Sequence, residues 1–383
     1  MKPHDMQPHA SPGGMVLIRH LSAGSAGSAS TMQPPSGSFG GGANTMQYDY
    51  SGSYSVSLTV GEDSTTVIDG TDITASSSGS NGVFATDSGT VLVNDTSIET
   101  MADNSRGLDA TYGGTISANK ITADTQGGHS AIVATDRGGG SISLADATLS
   151  TAGSGSLLLY STGDIQVNNV SGTSSGSQIA GMEGLNTILI KDSTLESTVT
   201  GKTASDPIAN GTIIYQSTSG DAEASTGEHA TFQSVDSTLS SAIGSGSMFY
   251  FTNTTADVVL QNTELDFDTD AATLTDNAAA GSGTGTASDA PITVNVDGTS
   301  TWVVTKDTTI SALNVASGGD GNTVTIVANG KTVVSGSGDV TVTVTGSYST
   351  SVSAGSDTEL SSDTIDRSEF DSRFGTSTAW TMA

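Results

Sequence analysis

The tightest cluster of residues able to do chemistry is Asp136-Arg137-Gly138-Gly139-Gly140, which follows His129 by seven positions. Three consecutive glycines let backbone approach a ligand and expose its amides. An arginine beside an aspartate can grip a carboxylate or a pair of hydroxyls, or simply pair locally. Tyr160 and Tyr215 each stand at or near the end of a short apolar run, and Asp221 follows the second of them. A tyrosine on an edge offers a ring face for stacking and a hydroxyl for hydrogen bonding. His129, Asp136, Arg137, Tyr160, Tyr215 and Asp221 therefore form the candidate ligand-binding set; the competing reading buries both tyrosines in a core and pairs Arg137 with Asp136. Asp266, Asp268 and Asp270 alternate as in the opening of a calcium loop. Ala271 and Asn277 occupy the positions where such a loop needs glycine and glutamate, so Ca2+ is the only cofactor considered and its motif is incomplete.

These residues must be positioned by the elements around them, and those elements repeat. From about Thr66 to Thr345 the chain cycles through an apolar alternating run, an Asp or Asn, and a second apolar run. Clear copies are Val91-Leu92-Val93-Asn94-Asp95-Thr96-Ser97-Ile98, Ile142 to Leu149 and Ile188 to Leu195. The anchors Asp69, Asp95, Asn119, Asp146, Asn169 and Asp192 are 26, 24, 27, 23 and 23 residues apart, and further copies centre on Asp236 and Asn262. A period of this length signals a solenoid in which each unit buries its apolar face against its neighbours. Three short runs per period, without helical patterning between them, predict an all-β, right-handed parallel β-helix of three strands per coil and nine to eleven coils. The recurring Asp or Asn is expected at a sharp bend, where both residues tolerate the left-handed region, and to stack into a polar ladder.

Residues 1–47 hold five of the seven prolines among Gly, Ser and Ala, and read as a leader or linker. The β-helix is expected over 48–353, with an acidic cap or tail over 354–383. Two long spacings, Asp192 to Asp236 and Asn262 to Asp297, imply insertions at 200–210, 217–228 and 276–290. Insertions in solenoids project from one face and often carry the binding surface.

Composition narrows function. Forty acidic against eleven basic residues give a net charge of −29, which argues against nucleic acid and anionic membrane surfaces as partners. No run approaches the ~20 residues of a membrane span. The apolar run Met15-Val16-Leu17-Ile18 is shorter than an export core. With no cysteine there are neither disulfides nor thiolate metal sites. Catalysis on a β-helix would need paired carboxylates or a basic residue with calcium, and the pectinase pattern of Asn-Thr-Asp, Asp-Asp, His-Gly and Arg-Ile-Lys on successive coils is missing.

Several phrases carry a resemblance: Ala131 to Gly140, Tyr160-Ser161-Thr162-Gly163-Asp164-Ile165, Ile214 to Asp221, Tyr250-Phe251-Thr252-Asn253-Thr254 and the closing Ile365 to Asp371. Over most of residues 50–380 the chain resembles adhesin-like right-handed β-helix proteins of anaerobic and gut-associated bacteria. That resemblance implies surface display or adhesion. With no catalytic constellation and with small polar residues over the strand faces, the expectation is a non-catalytic, monomeric module, extracellular or at the cell surface, with a glycan or cell-surface ligand as partner. A polysaccharide lyase or glycoside hydrolase is the first alternative. An ice-binding solenoid is the second; it needs aligned Thr-x-Thr rows, of which Thr341, Thr343 and Thr345 supply one.

Overall fold

The computed structural model describes residues 15–18, 21–23, 52–204, 206–216, 230–252, 254, 256–267, 271–276, 292–296, 308–315, 324–328, 331–335, 341–350 and 365–377. The fold is all-β: parallel strands stack into a solenoid, as the repeat implied, with about eight turns among the described residues against an expected nine to eleven for the chain. Each regular coil contributes a short strand such as Val83–Thr86 and a long one such as Thr90–Thr100. The short strands form one nine-stranded sheet and the long ones belong to an eighteen-stranded sheet. A hairpin, Val324–Ala328 with Lys331–Ser335, is the antiparallel exception among the described strands.

The long strand is two strands joined at a bend, which is how three strands per coil arise. At the same register in eight successive described coils one residue has a positive φ: Gly70, Asp95, Lys120, Asp146, Asn169, Asp192, Asp236 and Asn262. An ordinary side chain is disfavoured there, whereas Asp and Asn bond locally and glycine has no Cβ to clash. Six of these are the repeat anchors. At the other two the bend falls one residue beyond Asp69 and Asn119. The hydroxyl that follows the bend ties it shut, as Thr96 Oγ1 donates to Asn94 O at 2.9 Å and Ser193 Oγ to Lys191 O at 2.6 Å. Side-chain rungs link coils along this edge: Asn94 Nδ2 donates to Asp69 Oδ1 at 2.8 Å, Asn169 to Asp146 at 2.6 Å and Asn262 to Asp236 at 2.6 Å.

Between bends the residues alternate. In Thr90–Thr100, Val91, Val93 and Ile98 point inward to a continuous aliphatic core that runs the length of the stack, while Ser97 and Glu99 face solvent. A second ladder, inside, explains much of the serine content. Ser80, Ser105 and Ser130 each donate their backbone N–H to the serine Oγ one coil on (Ser105, Ser130, Ser156) at 2.9–3.0 Å. Buried turn amides need such partners.

The first and last described segments meet the stack differently, one at its open edge and the other along its flank. Within the segment expected as leader, Met15–Ile18 and Leu21–Ala23 pair in parallel with Thr65–Ala75, satisfying backbone groups that an open edge would leave unpaired. At the other end, the described residues 365–377 lie along the side of the early coils rather than beside the last long strand, Thr341–Ser349. The helix Ser368–Phe374 buries Phe370 against Val67 and Leu92, the outward-facing apolar residues of two long strands. Arg367 inserts beside it: Nη1 donates to Ser143 O and Oγ at 2.7 Å, and Nη2 to Ala118 O at 3.1 Å.

Candidate functional site

A groove of about 390 Å³ opens on the outer face of the short-strand sheet. The relevant strands are Leu108–Thr111, Val133–Asp136, Leu159–Ser161, Ala180–Glu183 and Asn210–Tyr215. In register, Asp109, Ala134, Tyr160, Gly181 and Ile213 form one outward column. Thr111 and Asp136 form the next, which continues to Glu183 and Tyr215. Because alternate residues of a strand share a face, the side chains in both columns project to the same side.

Five of the six residues expected to bind a ligand line this groove: His129, Asp136, Arg137, Tyr160 and Tyr215. Asp221 lies outside the described residues, as do Asp268 and Asp270. Asp266 stands exposed on Glu264–Phe267, whose partners belong to the other sheet. Among the described residues no cluster of three or more potential metal ligands occurs. The tyrosines do not fill the core; both are half-buried on the outer face.

The polar wall is organised by Arg106, which the sequence reading left out of the candidate set. Its Nη1 pairs closely with Asp136 Oδ2, a coil away, and approaches Asp109 Oδ2 at 3.5 Å, while the guanidinium lies 5.4 Å from the Tyr160 ring centroid. Arg137 meets Asp136 through its backbone N–H, which donates to Oδ1 at 2.9 Å. Asp109 is fully buried, and its Oδ1 has no hydrogen-bond partner among the described residues. Burial pushes its carboxyl up to about 8, opposed by Arg106 and reinforced by Asp136. The 3.5 Å approach to Asp109 is the longer of the two carboxylate contacts of Arg106, and burial biases that carboxyl toward its neutral form.

Glu183 anchors the tyrosines. Tyr160 OH and Tyr215 OH donate to the same Oε2, at 3.0 and 3.1 Å, and Glu183 is 1% exposed. The two rings are thereby fixed two rungs apart. Between them Gly181 leaves the floor open: a Cβ there would meet Leu157 Cδ2 at 2.8 Å and lie 3.4 Å from Ile213 Cγ2. The insertion at 200–210 builds the far wall with Ala204, Asp206 and Pro207. It is tied down by Gln178, which donates to Asp206 and accepts from Thr203 Oγ1 at 2.6 Å, and by Asn210 Nδ2, which donates to Asp206 Oδ2 at 2.9 Å. Burial raises the Asp206 carboxyl above its ordinary range, against those two hydrogen bonds.

Arg106, Gln178, Gly181, Glu183 and Asp206 are the contributors that sequence reasoning missed. Glu183 had a readable signal, since it ends its short strand as Asp136 does. Arg106 had another, as one of two arginines within the repeat of a strongly acidic chain. Chemically, the groove offers two ring faces and an aliphatic floor beside fixed donors and acceptors.

Comparison of the chain with protein-family models, with curated proteins and with solved structures finds no match. No helix among the described residues is long and apolar enough to cross a membrane.

Proposed function

We propose that this chain is a non-catalytic, glycan-binding β-solenoid, secreted or displayed at a cell surface as an adhesin-like module. The observation that carries the reading is the pairing of half-buried Tyr160 and Tyr215, fixed by Glu183, with the Arg106–Asp136 wall across an aliphatic floor. A sugar ring has an apolar C–H face and an equatorial rim of hydroxyls. Tyrosine and aliphatic surface suit the first, and Arg, Asp and Gln suit the second. A net charge of −29 favours a neutral glycan over an acidic one. A glycan array probed with the wild type, Arg137→Ala and Tyr215→Ala tests this. Binding by the wild type and its loss in both variants, at unchanged melting temperature, is the expected result. A loss of stability without any binding to lose refutes the site.

A hydrolase is the second reading, because Asp136 and Glu183 share an outward column two rungs apart, roughly 10 Å. That is close to the spacing of two carboxylates that work through an intervening water. Against it, Glu183 is sealed beneath two tyrosine hydroxyls, which leaves no place for that water. Release of reducing ends from any glycan on the array overturns the non-catalytic reading.

A further inference from the structure

Tyr112 lies outside the groove, and the fold gives no reason for an aromatic residue there. It sits where the short strand turns into the long one, and its φ is +47°. The coil before places Asp87 and Ser88 in the left-handed region at this turn, and the coil after places Gly138 and Gly139 there. Aspartate and glycine accept that conformation readily, whereas a bulky side chain in it is strained. The residue is nevertheless 48% exposed, so burial offsets the strain only in part. Gly138 makes room for it: a Cβ there would fall 2.4 Å from Tyr112 Cδ1. A strained residue held with its ring toward solvent points to a use outside the fold.

Its neighbours suggest the use. Tyr112 N–H donates to Arg137 O at 2.9 Å, so the tyrosine is the rung neighbour of a residue that lines the groove. Tyr112 follows the short strand Leu108–Thr111, and the coils that carry Tyr112, Tyr160 and Tyr215 succeed one another at two-rung intervals, roughly 10 Å each along the axis. Two rungs match two residues of an extended glycan. From first to last the tyrosines span about 20 Å, which suits an oligosaccharide of four or so sugars and exceeds one.

We infer that Tyr112 is an outer stacking subsite, and that the groove takes a linear, neutral, extended oligosaccharide lying along the solenoid axis over Tyr112, Tyr160 and Tyr215. This rests on the glycan-binding reading and adds chain length, direction and charge to it. The chemistry is stacking alone, with no covalent step. The neutral class is argued from the net charge of −29.

Calorimetric titration of the full chain with cello-, xylo- and manno-oligosaccharides, from dimer to hexamer, tests the inference, with oligogalacturonates as the acidic contrast. Affinity should rise about tenfold between dimer and pentamer in at least one neutral series and then level off. Tyr112→Asn keeps a residue suited to the left-handed region. It should abolish that rise, lowering hexamer affinity about three- to tenfold while dimer affinity stays at the wild-type value. Tyr112→Phe should retain the rise. A melting temperature for Tyr112→Asn equal to or above the wild type verifies that the variant folds. Dimer binding without length dependence, or a hexamer affinity that Tyr112→Asn leaves unchanged, overturns the inference and spares the groove. Tighter binding of oligogalacturonates overturns the neutral class. Failure of the wild type to bind any saccharide overturns the inference together with the reading beneath it.

Discussion

Two outer faces of the same coils obey different rules. On the face of the strand after the bend, the register column Ser97, Thr122, Thr148, Ser171, Thr194, Thr238 repeats one short hydroxyl over six successive coils, with Asp72 and Glu264 at its two ends. On the short-strand face, the column Asp109, Ala134, Tyr160, Gly181, Ile213, Tyr250 changes residue at every step. Both faces belong to strands with the same demands: an inward alternation and a neighbour on each side. The first face answers only those demands. The second has large, charged and absent side chains set side by side, and that mixture creates the groove. In a solenoid the repeat encodes the scaffold, and departure from it marks where something else is being specified.

The contrast extends to ion pairs. Arg106 pairs with Asp136 on the groove side with almost no solvent exposure, while Lys191 bridges Asp192 and Asp236 at the bend edge, at 3.9 and 3.5 Å, with both carboxylates close to half exposed. Removing Arg106 should have the largest effect. Arg106→Ala leaves Asp136 buried without its cation and should cost about 3 kcal/mol in urea unfolding. A cost below about 1 kcal/mol would mean that water enters the groove and replaces it.

Asp109→Asn sharpens the same comparison through pH. The folded carboxyl titrates at about 8 against an ordinary 3.8, so the folded chain holds its proton where the unfolded chain has released it. The stability associated with this group is complete below about 4 and is lost as pH rises toward about 8. Asparagine carries no such dependence. The variant should match the wild type near pH 4 and exceed it at pH 8 by on the order of 1–3 kcal/mol. Parallel unfolding curves at both pH values would show that Asp109 is ionised in the fold.

On the bend edge the effects should be smaller. Asn169→Asp keeps a residue suited to φ +55° but sets a second carboxylate against Asp146, where an amide now donates at 2.6 Å. The expected loss is roughly 0.5–1 kcal/mol, reduced by added salt. Lys191→Ala should cost least, about 0.5 kcal/mol or less, because its partners remain solvated. If Lys191→Ala matched Arg106→Ala, the two faces would be energetically alike and the distinction drawn here would fail.

Much of the scaffold was legible because it is written locally. The Asp or Asn bends could be read from residue type, as at Asp95, Asp146 and Asn169, since few side chains tolerate a positive φ. The bends at Gly70 and Lys120 were displaced by one residue, because Asp69 and Asn119 look like the anchor while the neighbour takes the strained position. The serine ladder at Ser80, Ser105 and Ser130 has a period of 25 that an abundance of serine elsewhere concealed. The threonine row of the ice-binding alternative recurs only in part: Thr341 pairs with Thr325 and Thr343 with Thr309, but on its other side Thr343 faces Val327.

Sequence by itself determined the stacking, the inward alternation and the slot in which Asp136, Tyr160 and Tyr215 stand, because each follows from spacing along a chain whose coils must superpose. Tertiary structure alone decided the rest. The partner of Asp136 is Arg106, one coil back, rather than the adjoining Arg137, because a side chain reaches across a rung more easily than it folds back on itself. The open floor at Gly181 exists only in relation to Tyr160 and Ile213, residues 21 and 32 positions away along the chain. Arg367 bonds Ser143 across 224 residues, a contact that no periodicity encodes. Period fixes what every coil shares; contacts between unlike coils depend on shape and burial, which exist only once the stack has formed.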